Sequence, residues 1–245
     1  MRRTGPLLFV LLAVAAATLT AQDPPEPTRV YAAYYQIGFS DLEEWIGIWN
    51  EHTTPLLQEM VDEGMLEGFG AQMHNTGGNY NFRQSMRGGM DTNFDAVWNR
   101  LLERLGERSP EAFARTMEMI QVHDDEVWNI DTMETDQATG WKYFYDTMFQ
   151  VEYADLASFA TMFEETFGET LAQARADGLL AGWVTESHNT GGGQYNWKVI
   201  LLFDEWDDID DVQARFFAAA PLSHPFWGMF RAHRDELWEA LPAGM

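Results

Sequence analysis

The sequence predicts an α+β fold built from one unit that occurs twice in tandem. The pentapeptide His-Asn-Thr-Gly-Gly is present at 74–78 and again at 188–192. Aligned without gaps, residues 34–78 and 148–192 are identical at 13 of 45 positions. Within each copy, β-branched and aromatic runs precede a run whose apolar residues keep helical spacing. Self-similarity at a fixed offset is the sequence signature of an internal repeat.

Further matched blocks extend the repeat toward the end of each copy. After one inserted residue, the block that starts at Tyr80 aligns with the block that starts at Tyr195. Later, 123–128 aligns with 233–238. The predicted organisation is a signal peptide at 1–21, a Pro-rich linker at 22–29, a first α+β repeat at 30–140 and a second α+β repeat at 141–245.

Each copy is predicted to follow the order β-α-β-β-α-α. Gly64 and Gly178 are expected just beyond the first helix of each copy, as C′ residues. Gly77 and Gly191 are expected in hairpin turns, where glycine tolerates positive φ. Strands are predicted at 30–38, 65–74 and 80–87, and at 143–152, 179–188 and 195–203. The late helices are predicted at about 92–105 and 110–129, and at about 207–219 and 224–240.

This duplicated order resembles the dimeric α+β barrel superfamily, whose units are ferredoxin-like and which includes antibiotic-biosynthesis-type monooxygenases, EthD-like and NIPSNAP-like proteins. The resemblance covers nearly all of 30–240. It implies two tandem ferredoxin-like repeats that form an intramolecular dimeric α+β barrel, so that a monomer is a pseudo-dimer. The usual unit ends with a fourth strand, and this sequence departs from it: residues 130–140 are polar, and no fourth strand is predicted.

The N-terminus is typical of an exported protein. Met1-Arg2-Arg3 is followed by an apolar run from Leu7 to Leu19. A short basic start before such a run indicates a secretory signal peptide, and the run is short for a transmembrane span. An uncleaved membrane anchor is the alternative. We expect a periplasmic or extracellular protein with no membrane contact after signal cleavage.

The composition narrows the expected partners. The formal charge is −24, which repels nucleic acid and anionic membranes, so neither is an expected partner. The expected partner is a small-molecule ligand, bound in the central cavity predicted below. The chain has no cysteine, which excludes disulfides, thiolate metal sites and a cysteine nucleophile. Ten Trp and thirteen Met indicate aromatic-rich cores or an apolar cavity.

Polar residues at matched positions share one face of each predicted strand. Because side chains alternate along a strand, these faces are predicted to look toward the other copy and to line a central cavity. His74, His188, Gln36 and Gln150 are the predicted catalytic residues, with the histidines as acid/base groups near neutral pH. The predicted ligand-binding residues are Gln72, Glu186, Asn81, Asn196, Arg83 and Lys198.

Structural roles are the alternative for the same residues. A histidine just before a tight turn often hydrogen-bonds the turn backbone, so His74 and His188 could brace their hairpins. Arg83 and Lys198 could form ion pairs with nearby carboxylates, given the acidic composition.

The predicted last helix of each copy carries a second candidate site. On a helix, His123 with Glu126 and His233 with Glu236 would lie three residues apart on one face, where an imidazole and a carboxylate can share a metal ion. The alternative is a half-buried histidine that pairs with a carboxylate of its own helix. Haem is a further option that the resemblance implies, because some relatives bind haem beside a histidine; no sequence motif identifies a cofactor.

Three functions remain open from the sequence. The leading hypothesis is an exported small-molecule-binding protein or cofactor-independent, monooxygenase-like enzyme with a site between the two repeats. The alternatives are a metal- or haem-binding protein that uses the helix His/Glu pairs, and a non-catalytic interaction module at the cell envelope.

Overall fold

A computed structural model of the protein describes residues 27–135, 140–191 and 193–241. The predicted signal peptide at 1–21 and most of the linker at 22–29 lie outside the described residues. Within the described ranges, no helix combines the length and apolar character that crossing a bilayer requires.

Both halves of the chain have the order β-α-β-β-α-β. The first half contains β1 (Thr28–Ile37), α1 (Leu42–Ile48), a π-helical turn (Trp49–Thr53), α2 (Thr54–Asp62), β2 (Gly68–Thr76), β3 (Phe82–Gly89), α3 (Phe94–Arg108), α4 (Pro110–Met119) and β4 (Ile120–Thr135). The second half contains β5 (Tyr143–Val151), a 3-10 turn (Tyr153–Asp155), α5 (Leu156–Ala176), β6 (Gly182–Gly191), β7 (Trp197–Phe203), α6 (Asp208–Ala219), a 3-10 turn (Pro225–Gly228) and β8 (Phe230–Ala240).

The eight strands form one closed antiparallel barrel in the order β1-β3-β2-β8-β5-β7-β6-β4. Each half supplies four adjacent strands. The halves join at two seams, where β2 pairs with β8 and β4 pairs with β6. The predicted fold class is therefore confirmed: two ferredoxin-like units make a dimeric α+β barrel within a single chain.

Each unit contains a fourth strand that was not predicted from the sequence. The predicted helix at 110–129 is helical only to Met119 and continues as β4, and the predicted helix at 224–240 is a short 3-10 turn followed by β8. Each of these strands is paired on both sides, β4 with β1 and β6, and β8 with β5 and β2. Pairing partners that are distant in sequence, one of them in the other repeat, override the local helical spacing.

The helices cover the outer face of the barrel, and two aromatic-rich cores fill the space beneath them. In the first half, Trp45 and Trp49 pack edge-on against Phe82. In the second half, Phe159 and Phe163 pack against Trp197. Each such ring buries enough apolar surface to contribute about 2 kcal/mol or more to folding, so these two cores stabilise the packing of the helices on the barrel.

Glycines with positive φ stand where the repeat predicted them. Gly64 (φ +73°) and Gly178 (φ +79°) follow the ends of α2 and α5 as C′ residues. Gly77 (φ +106°) directly follows β2 in the first hairpin turn, and Gly191 (φ +89°) is the last residue of β6, where the second hairpin begins. A Cβ on Gly77 would lie 2.5 Å from the backbone oxygen of Asp235 in β8. The repeated turn motif of one half therefore packs directly on the fourth strand of the other half.

The first helical segment differs between the halves. In the first half it is interrupted by the π-helical turn, in which the Thr54 N–H bonds to the Trp49 carbonyl. Pro55 follows and has no N–H to continue the ordinary ladder, which explains the local change of register. In the second half α5 runs without interruption for 21 residues.

Candidate functional site

Four of the predicted ligand-binding residues meet inside the barrel. The Arg83 guanidinium pairs with Asp146 of the other half, and its Nε donates to Gln72 Oε1 at 3.0 Å. Lys198 Nζ lies 2.7 Å from Glu186 Oε2. Side chains from the two halves thus meet at a shared centre, as the alternation of the strands predicted.

Indole rings complete this barrel centre. Lys198 Nζ lies 4.2 Å from the centroid of the Trp128 ring, and the Arg83 guanidinium lies 4.8 Å from that of Trp238. Trp238 Nε1 donates to Glu236 Oε2 at 3.1 Å. All of these side chains are buried. The prediction of a central cavity was therefore wrong. The protein's own ion pairs and indole rings fill the place where the cavity was expected.

The charges of the barrel centre perturb one another strongly. Burial raises the pKa of Glu186 and of Glu236 above the ordinary carboxyl value. Burial alone would lower the pKa of Lys198, but Glu186, Tyr34 and Asp146 together outweigh it and hold the pKa raised. Buried ions keep their charge at such positions only because each has a partner. We read the cluster as a structural network that ties the two halves together.

The predicted catalytic residues lie toward the edges of this network. His74 is edge-on to the Trp238 ring at 5.5 Å and His188 is edge-on to the Trp128 ring at 5.1 Å, and neither imidazole Nε2 has a hydrogen-bond partner in the described part of the chain. Gln36 and Gln150 are half-buried at the ends of β1 and β5, beside register shifts. Their predicted catalytic role stays a prediction.

Asn81 and Asn196 have a clear structural task. The Asn81 side chain accepts from the Ile37 N–H at 2.8 Å and donates to the Ile37 carbonyl at 2.6 Å. Asn196 makes the same two bonds to Val151. Each amide thereby continues the strand ladder, so its donor and acceptor are already engaged.

The predicted metal pairs do not form. His123 and Glu126 lie on β4, and His233 and Glu236 lie on β8, so a separation of three residues puts the members of each pair on opposite faces. Among the residues that the structure describes, no group of three or more His, Asp and Glu side chains is arranged to hold a metal ion. The prediction that these residues lie on helices was wrong, so the metal site that depended on helical spacing does not form from these pairs.

His123 instead belongs to the outer face of the barrel. Its ring stacks on Tyr35 with centroids 4.6 Å apart, and its Nε2 lies 2.8 Å from Asp125 Oδ1. Burial works to raise the pKa of Asp125, but hydrogen bonds from His123 and Tyr31 outweigh it and leave that pKa lowered. His233 repeats the arrangement more loosely, 3.6 Å from Asp235.

A groove of about 720 Å³ lies on the outer face of the barrel, between α5 and the seam of β4 with β6. Small-molecule sites in proteins commonly enclose about 300–1,000 Å³. We call this region the α5 groove. Its lining consists of Asp131, Thr132, Glu134, Leu156, Ala157, Ala160, Phe163, Glu164, Gly168, Ala172, Trp183, Thr185, Ser187 and Trp197.

Aromatic residues form the floor of the α5 groove and small residues keep it open. Phe163, Trp183 and Trp197 are buried beneath it. Ala160 and Gly168 stand on the facing side of α5. Trp197 is 2% exposed, and its indole Nε1 has no hydrogen-bond partner among the described residues. A buried donor without a partner is unusual and suits a site that a ligand completes.

Carboxylates stand at the rim of the α5 groove. Ser187 Oγ donates to Asp131 Oδ1 at 2.9 Å. Partial desolvation by the groove raises the pKa of Asp131, and the Ser187 bond opposes that shift. Glu164 places its carboxylate over Gly168, where a Cβ would collide with it. Glu134 lies 3.9 Å from Arg175 and is partly neutralised.

The residues predicted to form a site match between the two copies, whereas the α5 groove depends on residues that differ between them. The groove was therefore not predicted from the sequence. In the alignment of the two copies, Ala157, Ala160 and Gly168 stand where the first copy has larger side chains. Small residues on one face of the helix in only one copy were the available signal.

Comparisons with known proteins identify the fold and no family. No family model matches the chain, and no curated protein matches it. Among solved structures, a putative monooxygenase from Lactobacillus acidophilus is similar with a TM-score of 0.57 at 10% identity, covering 89% of this chain and 98% of that one. A heme-binding protein from Thermus thermophilus is similar with a TM-score of 0.52 at 13% identity, covering 89% and 92%. A chlorite dismutase from Candidatus Nitrospira defluvii is similar with a TM-score of 0.53 at 7% identity, covering 88% and 92%.

Haem, which one of these neighbours binds according to its description, does not fit the α5 groove. The described lining residues include no histidine, cysteine, tyrosine or methionine that could serve as an axial ligand. Asp131 and Glu164 would also oppose the negative propionates of haem.

Proposed function

We propose that the protein is a small-molecule-binding protein whose site is the α5 groove. The observation that carries the proposal is an open groove with a buried aromatic floor at the seam of the two repeats. Its lining combines β4 of the first repeat with α5, β6 and β7 of the second, so the site uses both repeats. It lies on the outer face of the barrel rather than at the packed centre.

The floor favours a flat, largely apolar ligand. Phe163, Trp183 and Trp197 make this floor apolar, and a flat aromatic molecule that covers it removes apolar surface from water. Thr185 and Ser187 add hydroxyl groups that fix the orientation of a polar substituent.

A test uses the neutral, environment-sensitive dye prodan. We expect it to bind with increased emission and to quench the groove tryptophans. Ala160→Ile should weaken binding about tenfold or more, because it fills the groove with the side chain that the first copy has at the aligned position, Ile46. Ala176→Ile adds the same side chain at the exposed last residue of α5 and serves as the matched control. Equal binding by wild type and Ala160→Ile would rule out the α5 groove as the site.

A cofactor-independent enzyme is the second candidate, favoured by Asp131. A carboxyl group with a raised pKa beside a hydroxyl at a groove rim is suited to proton transfer. If the ligand is turned over, Asp131→Asn should abolish turnover while ligand binding persists. Turnover at the wild-type rate in Asp131→Asn would exclude this role.

We also propose export, which rests on the basic start and apolar run at 1–21. Expression of the full chain in a bacterial host, followed by mass spectrometry of the mature N-terminus, tests it. Cleavage near residue 21 with recovery from the periplasm is expected. Replacing Arg2, Arg3 and the apolar run by a polar leader should retain the protein in the cytoplasm, and full-length intracellular protein from the native chain would refute export.

A further inference from the structure

We propose that the α5 groove selects cationic aromatic molecules, a ligand class that deepens the proposed function and rests on it. The charged residues that line the groove are all acidic. Asp131, Glu134 and Glu164 line it, and its described lining contains no lysine or arginine. A ligand that enters therefore meets acceptors and negative charge, and an anionic ligand is repelled.

Two of the three lining carboxylates come from different elements. Asp131 projects from β4, and Glu164 projects from α5. Asp131 uses one oxygen for the Ser187 hydroxyl, which leaves the other oxygen for a ligand. Glu164 lies over Gly168, the position at which any larger residue would displace its carboxylate. Glu134 contributes less because Arg175 lies 3.9 Å away.

The aromatic floor also favours a cation. Indole and phenyl faces carry negative electrostatic potential and attract cations positioned over them. The barrel centre of this protein uses that attraction twice, with Lys198 over Trp128 and Arg83 over Trp238. In the α5 groove Trp183 belongs to the lining and keeps 6% of its surface exposed, so the negative potential of its ring adds to the attraction for a cation.

The unpartnered Trp197 donor points to a ligand with an acceptor as well as a positive charge. Its Nε1 is buried without a partner, and the indole lines the groove. An aromatic amine whose ring nitrogen or oxygen accepts one hydrogen bond would satisfy it and leave the charged group for Asp131 and Glu164. The overall charge of −24 adds long-range attraction for such a molecule.

Three tricyclic dyes of similar size test the charge preference: cationic proflavine, neutral acridone and anionic acridinecarboxylate, titrated against wild type by fluorescence. Proflavine is expected to bind about tenfold or more tighter than acridinecarboxylate. Asp131→Asn combined with Glu164→Gln should weaken proflavine about tenfold, since each exposed carboxylate accounts for about threefold, and should leave acridone within about twofold.

The matched control removes the same two charges elsewhere on α5. Glu165→Gln combined with Glu169→Gln gives an equal net charge at exposed residues outside the groove, and it should change proflavine affinity by less than about twofold. Equal weakening in both double variants, or binding of proflavine that survives Ala160→Ile, would mean nonspecific attraction and overturn the proposal.

The outcomes separate this inference from the proposed function. If prodan and acridone bind in an Ala160-dependent manner while proflavine and acridinecarboxylate bind equally, the site stands and the cation preference is wrong. If no dye binds in an Ala160-dependent manner, the proposed function itself is wrong. Thermal unfolding of each variant confirms that a loss of binding does not reflect a loss of fold.

Discussion

The outer faces of the two repeats differ at one equivalent place: the first repeat fills it and the second keeps it open. Where α5 has Ala160 and Phe163, the first repeat has Ile46 and Trp49, and both pack into its core. In the alignment of the two fourth strands, Asp131 of β4 corresponds to Leu241. Leu241 also packs against the core of the first repeat. A shared fold therefore supplies the location of the groove, and substitutions at a few positions decide whether it exists.

The barrel centre shows the opposite relation. The aligned pairs Arg83 with Lys198 and Trp128 with Trp238 keep their chemistry and their place. The acidic partners differ, because Asp146 aligns with Ala32 and Glu186 aligns with the neutral Gln72. Each copy thus keeps a buried basic group and an indole ring in the centre, whereas the acidic partners come from the second copy alone.

The largest expected effect concerns Asp146. Asp146→Ala leaves the buried Arg83 without its partner and should lower the free energy of unfolding by about 3–5 kcal/mol. Urea unfolding followed by tryptophan fluorescence measures it. The double variant Asp146→Ala/Arg83→Met should recover most of that loss. A single variant as stable as wild type would show that the ion pair does not join the halves.

The second-largest loss of stability is expected when a glycine of the hairpin turns is replaced. Gly77→Ala should lower the free energy of unfolding by about 2–3 kcal/mol, since it adds both a strained positive φ and a collision with the β8 backbone. Gly64→Ala carries only the strained φ, with open space around its Cβ, and should cost about 1 kcal/mol.

Gly191→Ala should match Gly77→Ala, because the Cβ would collide with the Asp125 carbonyl in the same way. The same urea unfolding experiment compares the three variants. If Gly77→Ala and Gly64→Ala lose equal stability, the close approach of the turn to β8 does not contribute to the free energy of unfolding.

Exchanging the helix residues tests the filled and open faces directly. Ile46→Ala removes a partly buried side chain from a packed core and should cost about 1–2 kcal/mol. Ala160→Ile should change stability by less than about 1 kcal/mol, because the groove has room for it. Thermal unfolding of both variants gives the comparison, and a large loss in Ala160→Ile would show that the groove is less open than described.

The smallest effect is the pH dependence of cation binding. The pKa of Asp131 is raised, so this carboxyl group becomes neutral at a higher pH than an ordinary aspartate. Proflavine binding should therefore weaken as the pH falls, beginning above the ordinary aspartate pKa, with a change of about threefold from this group. Asp131→Asn should bind weakly with a flatter profile, and an identical pH profile in wild type and variant would exclude Asp131 as a contact.

The repeat made much of the fold predictable. Positive φ at Gly64, Gly77, Gly178 and Gly191 followed from glycines at helix ends and in turns, which are local requirements. The fourth strands were not predictable in the same way. The spacing of Phe226, Phe230, His233 and Leu237 satisfies a helix, and only pairing with β2 from the other repeat and with β5 selects the strand.

The candidate site was predictable only in part. Strand alternation brought Gln72, Arg83, Glu186 and Lys198 to the inside of the barrel, as expected. It could not reveal that the space there is filled, because Asp146 has no counterpart in the first copy and the strands that carry Trp128 and Trp238 were expected to be helices. The α5 groove arises from side-chain volumes across four elements, which only the assembled structure displays.

Closure of the barrel within one polypeptide has a consequence for how the two halves can change. In an assembly of two identical chains, each substitution appears twice, on both sides of the symmetry axis. Here the cross-barrel contact of Arg83 with Asp146 is made once, and no equivalent aspartate faces Lys198. Because the two repeats are covalently joined, one repeat can change to bind a ligand while the other keeps a purely structural role.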